Sequence, residues 1–120
     1  MSNRSQLLEI IMLTQMESVY LSACNECAAA CLQCATLCLK EDDPKLMVNC
    51  ILLDLECADM CRHTAQAIAR GDTHLYAIST LCSEICKKCA DECGKHQMDH
   101  CQHCAESCKR CAVACCSMTQ

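Results

Sequence analysis

The sequence predicts an all-α protein, an antiparallel up-down-up-down four-helix bundle with an additional N-terminal helical segment. Three observations carry that prediction. Cysteines return at alternating steps of three and four; only two Gly and one Pro interrupt 120 residues; and the interruptions fall between the cysteine clusters. Steps of three and four bring side chains back to one face of an α-helix. So few Gly and Pro leave little material for the turns of a small β-protein or a loop-rich disulfide knot. The length is that of one domain, read as 1–120, with a helical segment over about 5–20 ahead of a bundle over about 20–117.

The elements follow in order. Residues 5–40 contain neither Gly nor Pro, which allows a long first helix with room for a break near Ser18–Ser22. Glu41-Asp42-Asp43-Pro44 reads as a turn, with Asp43 as N-cap and Pro44 at the first helical position. The second helix runs to about Arg70, where Gly71 stands in the place of a C-cap glycine. Asp72 or Thr73 can cap the third, which ends at Gly94, and the fourth spans about His96 to Ser117. Connections this short force neighbouring helices to run antiparallel.

The inward faces are made of thiols. Cys24, Cys27, Cys31, Cys34 and Cys38 step by three, four, three and four, and Cys101, Cys104, Cys108, Cys111 and Cys115 repeat the same steps. Between them lie Cys50, Cys57 and Cys61, then Cys82, Cys86, Cys89 and Cys93; only Cys116 is out of phase. Cysteine here holds the positions that Leu and Ile fill in an ordinary bundle. The word Cys-Ala-x-x-Cys recurs at Cys27, Cys34, Cys57, Cys89, Cys104 and Cys111, and its small Ala lets helices approach closely.

Eighteen cysteines used only as small buried hydrophobes would pack a core poorly. A disulfide framework fits no better. Helical neighbours at these steps hold their Cβ atoms about 5–6 Å apart, whereas a disulfide needs about 3.5–4.5 Å. Two thiolates bridged by one ion sit roughly 4.5 Å apart, twice a metal–sulfur bond, and helical pairs can close to that. Thiolates select Cu(I), Zn(II) or iron–sulfur clusters. A thiol that exchanges its proton for Cu(I) leaves the core neutral. Four thiolates around Zn(II) leave a net negative charge, and almost no Lys or Arg faces inward to offset it. Iron–sulfur ligands usually come from loops that wrap a cluster, whereas Cys24 to Cys38 run along about 21 Å of helix axis. The arrangement suits many Cu(I) ions in a row, a store. A zinc-binding or redox-responsive regulatory or scaffold protein is the alternative. A thiol oxidoreductase lacks the βαβ context that redox motifs need.

The two ends of the tube differ. One gathers Cys38, Cys50, Cys93 and Cys101, with Met47, His96, Met98, His100 and His103 nearby; these imidazoles and thioethers are candidate entrance ligands that hold Cu(I) less tightly than thiolate. Ordinary surface exposure is the competing reading for the histidines, and core packing for the methionines. His100 shares a stripe with Cys104 and Cys108 and is the best placed. The other end has Tyr20, Leu21, Ile68, Leu75, Tyr76 and Ile78 to seal it. Asp54 stands where the pattern of the second helix would place a cysteine. It is either an accessory ligand on the inner face or the partner of a basic residue on a neighbouring helix.

At this point the residues resemble the bacterial copper storage proteins, cysteine-rich four-helix bundles with Cys-x-x-x-Cys words on their inner faces. The resemblance covers roughly residues 20–117. It implies many Cu(I) ions inside each bundle on cysteine thiolates, a tetrameric assembly, and a His-rich entrance mapping onto His100, His103 and His96. All in-phase cysteines become ligands, with Cys116 the least certain. The family has exported members with a twin-Arg signal and cytosolic members with more cysteines, and this chain is similar to the cytosolic branch. Copper chaperones are then the expected partners.

Composition narrows the rest. The net charge of −5 and the absence of Phe and Trp argue against nucleic-acid binding. No Gly-rich phosphate loop or nucleophile motif points to an enzyme. The N-terminal MSNRSQLLEIIMLTQM has one Arg, an apolar run broken by Glu9 and no clean cleavage site. No membrane span and a cytoplasmic location, where thiols stay reduced, are therefore expected. The run Leu7, Leu8, Ile10, Ile11 and Leu13 exceeds what one small bundle can cover, so a homo-oligomer is expected.

Overall fold

The computed structural model describes residues 3–119, Leu13 by its backbone alone. Four helices make up nearly all of it: α1 (Arg4–Leu39), α2 (Val48–Arg70), α3 (Leu75–Cys93) and α4 (Asp99–Ser117). Each helix packs on the next, and α4 returns to pack on α1, so the four stand in cyclic order around one axis. The predicted all-helical bundle is the fold.

The break foreseen near Ser18–Ser22 does not occur. α1 is one continuous helix of 36 residues, capped where the Asn3 side chain accepts a hydrogen bond from the Gln6 amide at 2.9 Å. The N-terminal segment is therefore the overhanging half of α1, and it stretches the molecule to 65 Å against widths of 23 and 19 Å. Leu7, Leu8, Ile10, Ile11 and Met12 are all exposed along it, while the side chain of Leu13 lies outside the described residues. The expectation that no stretch could span a membrane is corrected here. By length and composition α1 is apolar enough to do so, with a window of mean hydropathy 1.2 near the N-terminus of which 6% is buried.

Local chemistry sets the other boundaries. Pro44 opens not α2 itself but a 3-10 turn over Pro44–Met47, and Asp43 makes no side-chain cap. Gly71 ends α2 in the left-handed conformation (φ 62°), and the Asp72 amide reaches back to the Ala67 carbonyl at 2.9 Å. That conformation favours glycine and closes the helix end as a Schellman cap does. The Asp72 carboxylate then accepts from the His74 amide at 2.7 Å, one residue ahead of α3. α4 begins at Asp99, later than the sequence suggested. The Gln102 side chain donates to the Gly94 and His96 carbonyls at 3.1 and 2.6 Å, which holds 94–98 as a turn.

The alanines do what the repeated word implies. Ala28, Ala35, Ala58, Ala90, Ala105 and Ala112, each beside a first cysteine, are all buried. Small side chains at these contacts bring the backbones close and draw the sulfurs toward one axis.

Candidate metal centre

Each helix turns one stripe of its surface inward, and the stripes keep one register. From the 3-10 turn into α2 it reads Met47, Cys50, Asp54, Cys57, Cys61, Thr64 and Ile68, all buried. Seventeen of the eighteen cysteines are buried and all are free thiols. Cys116 is the exception, exposed on the outer face of α4. Its inclusion among the ligands is corrected: one residue past an inward cysteine, it is turned about 100° away from the axis.

The sulfurs are packed at bridging distance. Pairs one turn apart on the same helix are close, Cys34–Cys38 at 3.8 Å, and Cys57–Cys61 and Cys104–Cys108 at 3.9 Å. Pairs across helices are as close or closer: Cys27 and Cys31 each 3.6 Å from Cys108, and Cys50 3.2 Å from Cys93. Quartets form in which every Sγ lies within 4.8 Å of the others. They include Cys34, Cys38, Cys50 and Cys101, then Cys31, Cys89, Cys104 and Cys108, then Cys27, Cys31, Cys57 and Cys108. Two more continue the line, Cys27, Cys57, Cys61 and Cys86, and Cys61, Cys82, Cys86 and Cys111. From the second quartet on, consecutive quartets share members, and Cys93, 3.2 Å from Cys50 and 3.9 Å from Cys104, links the first to the second, so the sulfurs make a continuous column.

Asp54 resolves in favour of the inner face. Its carboxylate is fully buried and takes contacts from Cys89 and Cys104 at 3.2 Å, Cys93 at 3.3 Å and Cys50 at 3.7 Å. No basic residue of a neighbouring helix meets it among the described residues. Burial, reinforced by negative charge at Cys104 and Cys50, pushes this carboxyl up to about 8. Burial likewise lifts the Cys101 thiol to about 11 and raises Cys38 above the ordinary thiol value. The other buried polar residues are Thr64, Ser79, Ser83 and Ser107, with no Lys or Arg among those described.

The mouth forms where Cys38, Cys50, Cys93 and Cys101 meet. His100 closes over it, its Nδ1 3.5 Å from Cys101, 3.6 Å from Cys34 and 3.9 Å from Cys38. Its Nε2 lies 3.0 Å from Glu41, a carboxylate that sequence reasoning passed over as part of a turn. That contact fixes which ring nitrogen faces the sulfurs. Met47 is buried in the stripe one step before Cys50, and Met98 packs half-buried against the column. His96 instead turns to Glu92 at 2.9 Å. His103 is exposed in an outer groove beside Glu26, Gln33 and Arg110, so its place in the entrance is corrected. At the far end Tyr76 is 68% exposed and seals nothing; Ile68 is buried, and Tyr20, Leu21 and Leu75 are packed half-buried against the column.

Comparison with known proteins agrees with this geometry. The family described as copper storage protein (Csp) matches residues 13–120. The Cu(I)-bound copper storage protein BsCsp3 is 41% identical and superposes with a TM-score of 0.84, covering 88% of this chain and 99% of its own. A cytosolic copper storage protein from Streptomyces lividans, solved with five coppers, is 32% identical with a TM-score of 0.86 over 90% of this chain and 95% of its own. The uncharacterized cysteine-rich protein YhjQ of Bacillus subtilis is 42% identical over 90 residues, 75% of this chain and 83% of the relative. A column of interlocking thiol quartets inside four helices, matched over nearly its whole length by proteins of one kind, makes this chain a member of the copper storage protein family.

Proposed function

We propose that the chain stores and buffers many Cu(I) ions as thiolate complexes along the axis of its bundle, without catalysing a reaction. The observation that carries this reading is the sharing of sulfurs among the overlapping quartets of the column. A thiolate that bridges two ions belongs to both, so the column fills to roughly one ion per inward cysteine. Each Cu(I) replaces one thiol proton, which adds no net charge to a core that holds no buried Lys or Arg among the described residues. Zinc in quantity would add negative charge to that core, where burial already pushes the Asp54 carboxyl up.

Within this reading the ligands are the seventeen buried cysteines, with Asp54 completing the quartet that α2 leaves short. His100 receives the ion at the mouth, Glu41 orients it, and Met47 and Met98 offer thioethers beside it. The chain acts as one domain in the cytosol, where thiols stay reduced, and exchanges copper with chaperones. The exposed run from Leu7 to Met12 joins copies into a homo-oligomer, with the tetramer as the state expected from the family. Titration of the reduced protein with Cu(I) against a competing chelator tests the reading. Uptake near one ion per buried thiol is expected; saturation after a few ions would contradict storage.

A further inference from the structure

The end of the tube opposite His100 is built in the same register as the cysteines. One step beyond its last cysteine, each stripe places Tyr20 on α1, Thr64 on α2, Ser79 on α3 and Met118 at the end of α4. Thr64 and Ser79 are fully buried, and Tyr20 and Met118 pack half-buried against the column. This layer is two hydroxyls, a phenol and a thioether rather than an aliphatic plug. Thr64 donates to its own helix at the Met60 carbonyl (2.8 Å). Ser79 donates to the Met118 sulfur at 4.0 Å, a long contact to a weak acceptor that leaves the thioether free to bind something softer.

Outside this layer opens a cavity of about 420 Å³, lined by Met16, Glu17, Tyr20, Ile68, Leu75 and Met118. Its wall is apolar apart from the half-buried Glu17 carboxylate and the two groups of Tyr20 and Ser117. On the inner side the next sulfurs are close: Cys115 precedes Met118 by one step, a rise of about 4.5 Å, and Cys111 contacts Cys24 at 3.9 Å. A thioether stands between a cavity open to solvent and the last thiols of the column.

We propose that this end is a second Cu(I) site and a second way into the tube, with Met118 Sδ as the soft ligand that takes the ion from the cavity and passes it to Cys115 and its neighbours. The proposal rests on the storage reading. A thioether binds Cu(I) without losing a proton. Transfer to a thiol exchanges its S–H bond for S–Cu and releases that proton through the cavity, so filling adds no net charge to the column. The carboxylate of Glu17 gives the cavity the negative potential that draws a cation.

The test uses the full-length reduced protein with carbon-13 in its methionine ε-methyl groups, and Cu(I) delivered from a weak chelator. The Met118 signal is assigned with Met118→Leu, a near-isosteric change that leaves the packing in place. The Met118 signal is expected to move within the first equivalents. In a His100→Ala background, Met118→Leu is expected to slow loading several-fold with the final uptake unchanged. A Met118 signal that stays in place while copper–thiolate absorption climbs to saturation overturns the proposal, and so do equal loading rates with and without Met118. Failure of the storage reading would show separately, as low total uptake by the unsubstituted chain.

Discussion

The bundle and the overhanging half of α1 place their side chains in opposite ways. In the bundle, thiols occupy the inward positions and are excluded from solvent, while Leu52 and Leu55 on α2 face outward at 61% and 44% exposure. In the overhang the large aliphatics among the described residues are on the surface, with Ile10 and Met12 each 60% exposed. Residues that normally make a core are outside, and the core is sulfur. The difference teaches that the interior is arranged for what it binds, and that packing is supplied by nine buried alanines and by helix propensity. The overhang is left to bury its surface elsewhere.

That contrast can be broken most severely in the column. Replacing Cys27, Cys31, Cys57 and Cys108 with Ala removes the thiols that two quartets share. Copper capacity should fall by about four ions per chain or more, since bridged ions lose both partners. Titration with Cu(I) measures it. If capacity were unchanged, the bundle interior would not be where copper sits.

In the overhang, Leu7→Glu with Ile11→Glu should leave copper per chain unchanged and shift the assembly to smaller species in sedimentation velocity. Equal assembly before and after would show that the exposed aliphatics serve something other than association. His100→Ala should have a smaller effect at the mouth, slowing Cu(I) uptake several-fold in stopped-flow absorption without lowering capacity. Loading at an unchanged rate would remove the imidazole from the path.

The smallest effect concerns Asp54. Its folded-state value of about 8 lies above the ordinary carboxyl value of 3.8, so the folded metal-free chain binds the proton more tightly than the unfolded chain. Stability from this group is fully present below pH 4, declines as pH rises, and levels off above the folded value. Asp54→Asn should flatten that decline in denaturant unfolding of the metal-free protein. An unchanged slope between pH 5 and pH 8 would mean that the carboxyl is not protonated inside.

The register of the fold was legible because steps of three and four leave one solution, and the gap at Asp54 could be read from the same pattern. What escaped depends on groups distant in sequence. The start of α4 is set by Gln102 holding the carbonyls of Gly94 and His96. His100 and His103 each stand one residue before an inward cysteine, yet they part company. The first lies at the helix start, where the ring can reach round the open end to Cys34 and Cys38; the second is a turn deeper and meets the outer face of α1. Met118 continues the cysteine register of α4 by one step and could have been found by extending it.

The most direct measurement is anomalous scattering at the copper edge from a crystal soaked in Cu(I). The account predicts a row of copper peaks along the bundle axis, from the layer of Cys38, Cys50 and Cys101 to the layer of Cys24, Cys82 and Cys115. Peaks confined to the surface, or one or two near His100 with the column between the helices empty, would contradict it.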